Sequence, residues 1–216
     1  MRACVSKVAL PALASGLCAL TLAVAPAQAN ATSAERCYDL SRLAVGTAWP
    51  VAPQTAVPID IGTLRVHPLV LDGIVQTPKV ARLVVADDRI AGGLSPELSA
   101  VAVALQIEPA PGVRRIRLRY AEQPGAGDLR AAMVEVNGVR HEWRGSFERL
   151  HRKNGGHPGL PARFRVTPEG PVDGNGWQRG QLELELKQPG EIRSFTLGAG
   201  FLRLDDLCFR AADATN

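Results

Sequence analysis

Three stretches of the chain place an apolar residue at every second position and a charged one between. Arg115-Ile116-Arg117-Leu118-Arg119-Tyr120 is one, and Ala162-Arg163-Phe164-Arg165-Val166 and Leu182-Glu183-Leu184-Glu185-Leu186 repeat the pattern. Successive side chains of a strand point to opposite faces, so each stretch reads as a strand with one face in a core and one in water. The run from Leu98 to Ile107 has no polar face. It predicts a strand buried on both sides, although its alanines leave a helix open as the alternative. Ala131 to Val136 and Val139 to Trp143 flank Asn137-Gly138, two residues that tolerate positive φ and so make the tight turn of a hairpin.

The weaker signals agree. Cys37 to Leu43 predicts a short first strand, and Val57 to Leu71 two strands or one bent at Gly62 and Pro68. Lys79 to Ala86 and Ile192 to Leu197 predict two more, with a single helical turn at Ser146 to His151. Gly198-Ala199-Gly200 is then expected to deliver the final strand, Phe201 to Phe209. About ten short strands separated by regular turn signals, with no sustained helical period, predict an all-β antiparallel sandwich.

Composition changes this picture mainly at the start of the chain. Arg2 and Lys7 precede an apolar run from Val8 to Ala25, and Ala27-Gln28-Ala29 has the small-x-small pattern of a signal-peptidase site. Pro11 and Gly16 interrupt the run, against a retained membrane span, and Leu17 before Cys18 argues against a lipid anchor. The expected layout is a signal peptide over 1–29, a short tail over 30–36, one β-sandwich domain over 37–210 and a C-terminal tail over 211–216. Localisation is then secreted or periplasmic, with no membrane span after cleavage. The whole chain carries a formal +4, but the leader removes two of 25 basic residues and none of 21 acidic ones. A charge that small argues against a nucleic-acid partner.

The leader also takes two of the four cysteines, leaving Cys37 and Cys208. In an oxidising compartment an even pair reads as a disulfide. This one would join the first strand to the last. An immunoglobulin domain bridges inner strands instead, so the spacing favours a jelly roll.

The order of several short motifs resembles a family of exported bacterial β-sandwich proteins of undefined function. The family pattern opens Cys-x-Asp-Phe-Glu and Gly-Thr-x-Tyr, passes Ala-Gly-Gly and Val-Asn-Gly, and closes on Ile-Asp-Asp-Val-Cys. Here the counterparts are Cys37-Tyr38-Asp39-Leu40-Ser41, Gly46-Thr47-Ala48-Trp49, Ala91-Gly92-Gly93, Val136-Asn137-Gly138 and Leu204-Asp205-Asp206-Leu207-Cys208. The closing segment is also similar to the last strand of jelly-roll carbohydrate-binding modules, which often hold calcium between first and last strands. That resemblance implies Asp39, Asp205 and Asp206 as calcium ligands. Ser41 stands where the pattern has glutamate and removes one expected oxygen donor. The alternative is that one aspartate of the pair accepts hydrogen bonds from a turn while the other faces water.

Catalytic patterns are absent from the sequence: there is no Gly-x-Ser-x-Gly elbow, and His141 and Glu142 are adjacent on a strand and so face opposite ways. His151 and His157 share a loop with Arg152, Lys153 and Gly155-Gly156, where an anion would find donors. The arginine row at 115, 117 and 119 is matched by Glu183 and Glu185, which predicts mutual compensation across a solvated face. Trp177 lies in Asp173-Gly174-Asn175-Gly176-Trp177, a polar loop with little to bury an indole. With Trp143 and His157 it forms the candidate ligand-binding set. The expected function is a non-catalytic binding or surface module for an extracellular or cell-envelope glycan. A hydrolase acting on an extracellular polymer and a structural envelope or matrix protein are the alternatives.

Overall fold

The computed structural model describes residues 34–38, 40–52, 55–59, 62–76, 81–93, 96–123, 131–152 and 159–211. In chain order the strands are β1 (Arg36–Cys37), β2 (Ala48–Trp49), β3 (Ala56–Ile59), β4 (Gly62–Pro68), β5 (Val70–Leu71), β6 (Ile74–Val75) and β7 (Arg82–Ala86). Then come β8 (Glu97–Pro109), β9 (Val113–Glu122), β10 (Ala131–Val136), β11 (Val139–Arg144), β12 (Ala162–Pro168), β13 (Gln178–Leu186) and β14 (Phe195–Ala211). A short helix, α1 (Glu148–Arg152), precedes β12. Every pairing among these strands is antiparallel.

Two long strands organise the sheet. β8 pairs with β7 over its first part and with β4 over its second, and the change falls at Ala102, which has a φ of 50°. The freed Ala102 carbonyl accepts the Leu69 N–H. Alongside it, β14 pairs with β10 over Phe195 to Ala199 and with β9 over Leu202 to Ala211, while β8 follows it from Phe195 to Leu204. The ribbon β8–β14 therefore belongs to both halves of one twelve-stranded sheet. Inward side chains of both halves, such as Leu105, Leu197 and Val134 from one and Leu118, Leu184 and Phe164 from the other, belong to one core cluster. The architecture is thus all-β and antiparallel, with both halves of the sheet contributing to a shared core.

Most of the predicted strands form, with two differences, at the first strand and the last. The first strand is only Arg36–Cys37, because the chain turns into a 3-10 segment at Leu40–Arg42. Leu98 to Ile107 is strand and not helix, buried on both faces: its inner face meets the main core, and its outer Ala104 packs with Leu69, Leu71 and Met133. The glycines at 198 and 200 do not break the chain but lie inside β14, a strand of 17 residues. Gly198 is required there by packing, since a Cβ would come within 2.7 Å of the Leu69 Cδ1.

Cys37 and Cys208 stand opposite each other in the β1–β14 pairing and form a disulfide across 171 residues of chain. At Asn137-Gly138 both residues have positive φ, and Val136 pairs with Val139 across the predicted two-residue turn. Among the described residues no helix is long and apolar enough to cross a membrane.

Candidate functional site

The charged faces of β9 and β13 neutralise each other as their alternation implied. Arg115 lies 3.3 Å from Glu183 and 3.1 Å from Glu185, and Arg117 pairs with Glu35. Hydrogen bonding to Glu35 is the main reason the Arg117 guanidinium holds its proton more tightly than usual. Arg119 is employed differently. It reaches Glu169 and Asp206 and donates from Nη1 to the Gly92 carbonyl at 2.8 Å.

That last contact ties β9 to the loop between β7 and β8. The loop carries Asp87, Asp88 and Arg89 and turns at Arg89 and Gly92, which have φ of 52° and 86°. It folds back over the strand ends. The Ala91 N–H donates to Glu97 Oε2 at 2.7 Å, and Gly93 lies so close to Asp205 that a Cβ there would overlap the carboxylate. Two acids are sealed as a result: Glu97 is 0% exposed and Asp205 is 2% exposed. Burial raises the carboxyl of Glu97 to about 7, with a hydrogen bond to Asp88 acting in the same direction and the Ala91 N–H and Arg203 against it. Burial likewise raises Asp205 to about 6.

The adjacent acids Asp205 and Asp206 are set by a β-bulge. Asp205 opposes Arg119 and Cys208 opposes Arg117, so β14 spends one residue more than β9 over this step. Asp206 is the extra residue, with a φ of 47°, and its N–H donates to Asp205 Oδ1 at 2.8 Å. Asp205 Oδ2 is buried without a hydrogen-bond partner beside Gly93, while Asp206 faces outward to Arg119. Of the described residues, Asp205 and Asp206 are engaged by the Asp206 N–H and by Arg119 respectively. Among the described residues, the one group of three or more His, Cys, Asp or Glu ligand atoms within 4.8 Å of one another is Glu35, Cys37 and Cys208, and its two sulfurs are in the disulfide. Asp39 lies outside the described residues, as does His157.

Trp177 follows a tightly bonded turn and not a loose loop. Asp173 Oδ1 accepts from the N–H groups of Asn175 and Trp177, both at 2.9 Å, and the Asp173 and Trp177 backbones are bonded to each other. Asp and Asn favour such turns because their side chains reach the backbone two residues on. Gln123 on the neighbouring strand end donates to the Asn175 carbonyl. The indole is half-buried, and the Arg203 guanidinium stands 5.6 Å from its ring centre. Arg203 itself is oriented from below, with Nη2 2.6 Å from Asp88 Oδ2 and Nε 3.5 Å from Glu97 Oε1.

Trp143 belongs to a different environment. Its Nε1 donates to the Ser146 carbonyl, its ring lies 5.6 Å from Phe147 and stacks on His141, and it packs against the core. Phe147 contacts Tyr120 edge-on, and its N–H donates to Glu122 Oε1 at 2.6 Å. Burial raises the Glu122 carboxyl to about 8 and pushes the Tyr120 hydroxyl far above its ordinary value. Trp143 thus helps pack Phe147, just ahead of α1, against Tyr120 of β9.

The structure therefore joins Trp177 to Arg203, Asp88 and Glu97, three residues that strand and loop patterns did not single out. The sequence signal that links them is register: Glu97 follows one step beyond the Leu98–Leu204 pair, beside Asp205, and Arg203 opposes Ser99. Chemically the assembly offers a flat indole edged by the Arg203 guanidinium and the Asp88 carboxylate, suited to a ligand with both an apolar face and hydroxyl groups. No protein-family model, curated protein or solved structure matches the chain.

Proposed function

We propose that this chain is an exported, non-catalytic binding or surface module of jelly-roll type that takes a glycan of the cell envelope or surroundings on the Trp177 face. The observation that carries the reading is a half-buried indole fixed by the Asp173 turn and flanked by the Arg203 guanidinium. A sugar ring covers an aromatic face with its C–H groups and offers its hydroxyls to neighbouring charges, and a rigid aromatic loses little entropy on binding. Signal-peptide features support export, and closure of the chain by a disulfide suits an oxidising compartment.

The hydrolase alternative needs carboxyl groups that reach a polymer. Among the described residues Glu97, Asp205 and Glu122 are the acids with raised values, and all three are buried. A glycan-array screen of the mature protein tests the proposal. Trp177→Ala should remove binding and move the melting temperature little. Retained binding, or a loss of about 3 kcal/mol of stability as for a core tryptophan, would assign the indole to packing.

A further inference from the structure

We infer that Glu97 is a proton-operated positioning residue, which sets where the Arg203 guanidinium rests against Trp177. Arg203 Nε and Glu97 Oε1 are both buried, both without a hydrogen-bond partner, and 3.5 Å apart. The gap is too long for a charge-assisted bond, which closes to about 2.7–2.9 Å. Two arrangements compete for it. A proton on Glu97 would give the otherwise unpartnered carboxyl oxygen a donor toward Asp88, while Arg203 is held by Asp88 Oδ2 and lies over the indole. Once that proton passes to solvent, the carboxylate attracts the Arg203 Nε–H and draws the guanidinium down toward β8.

The surroundings are consistent with such a device. From the covering loop come Asp88 and the Asp87–Arg89 pair. From β14 come Arg203, Asp205 and Asp206, and from β9 comes Arg119, itself engaged by Glu169 and Asp206. The nearest charge on β7 is Arg82, opposite Val101, and β8 carries no other charged group before Glu108. On the Trp177 turn the charges are Asp173 and Arg179, which lie 3.5 Å apart. Among the described residues Arg203 is thus the one cation that touches Glu97 and Trp177 together. The main competing titration is Asp205, whose Oδ1 is committed to the Asp206 N–H.

The inference rests on the glycan reading for its consequence, a pH-dependent affinity, but the switch is a property of the protein alone. It is tested by following indole and arginine side-chain N–H resonances of the full-length mature protein from pH 5 to 9 by NMR. The Trp177 signal is assigned by its loss in Trp177→Phe. The Trp177 indole and Arg203 Nε–H should shift together with one midpoint near 7. The shift should vanish in Glu97→Gln and persist in Asp205→Asn. A flat Trp177 signal, a titration unchanged in Glu97→Gln, or one lost only in Asp205→Asn overturns the inference. If a glycan is found, its affinity should follow the same midpoint and become flat in Glu97→Gln. Absence of binding at every pH with the titration intact removes the glycan reading and leaves the switch.

Discussion

At the scale of single residues, close packing against carboxyl groups decides most of the behaviour near the covering loop. Gly93 leaves no space for a Cβ above Asp205. Gly93→Ala should therefore cost about 1–3 kcal/mol in urea denaturation, the usual penalty for overpacking. Asp205→Ala in the same chain should recover much of that loss, because the two changes act on one space. Glu122 makes a prediction about pH. Its folded value of about 8 lies above the ordinary 4.5, so the folded state holds a proton that the unfolded chain releases. The stabilisation is complete below the unfolded value and is lost as pH rises through the folded one. Melting temperature should fall between roughly pH 5 and pH 8.5, and Glu122→Gln should reduce that slope while preserving the acceptor for the Phe147 N–H.

At the scale of elements, the bulge in β14 and the β10–β11 turn show how a strand is steered by one residue. Asp206 sits in the left-handed region, which costs a β-branched side chain about 1–2 kcal/mol. Asp206→Val should lose that amount, whereas Asp206→Asn, which tolerates the same φ, should be close to neutral by thermal melting. The exposed pair with Arg119 adds little in either case. Asn137 does two tasks: it provides the hairpin turn, and its side chain bonds Glu191, Arg193 and Ser194 just ahead of β14. The hairpin was legible because Asn-Gly encodes a local backbone conformation, and the alternating strands were legible because burial has period two. The course of β14 through Gly198 was not, since the glycine answers to Leu69, a partner remote in sequence. The bulge was hidden for a related reason: an adjacent acid pair looks the same whether it holds a cation or turns one carboxylate onto its own backbone. Trp177 was visible as an unusual aromatic in a polar loop, but Arg203 and Glu97 acquire meaning only from the register of β8 on β14.

At the scale of the whole molecule, the Cys37–Cys208 bond closes a loop of nearly the entire described chain. Loop-closure entropy for that span amounts to about 5 kcal/mol as an upper figure. Reduction under native conditions should lower the denaturation midpoint markedly, and non-reducing peptide mapping should recover the two cysteines as one cross-linked pair. Two free thiols in protein isolated from its native compartment would contradict the assignment.

β14 pairs with β1, β8, β9 and β10, and it follows each of them along the chain. During synthesis those four strands are made before their common partner exists, so none of them can complete its ladder until β14 has emerged. Assembly of the β14 ladders therefore comes late, and contacts so distant in sequence make it slow. That delay leaves an interval in which the chain lacks its central ribbon and remains threadable, a kinetic property that the export proposed above would use.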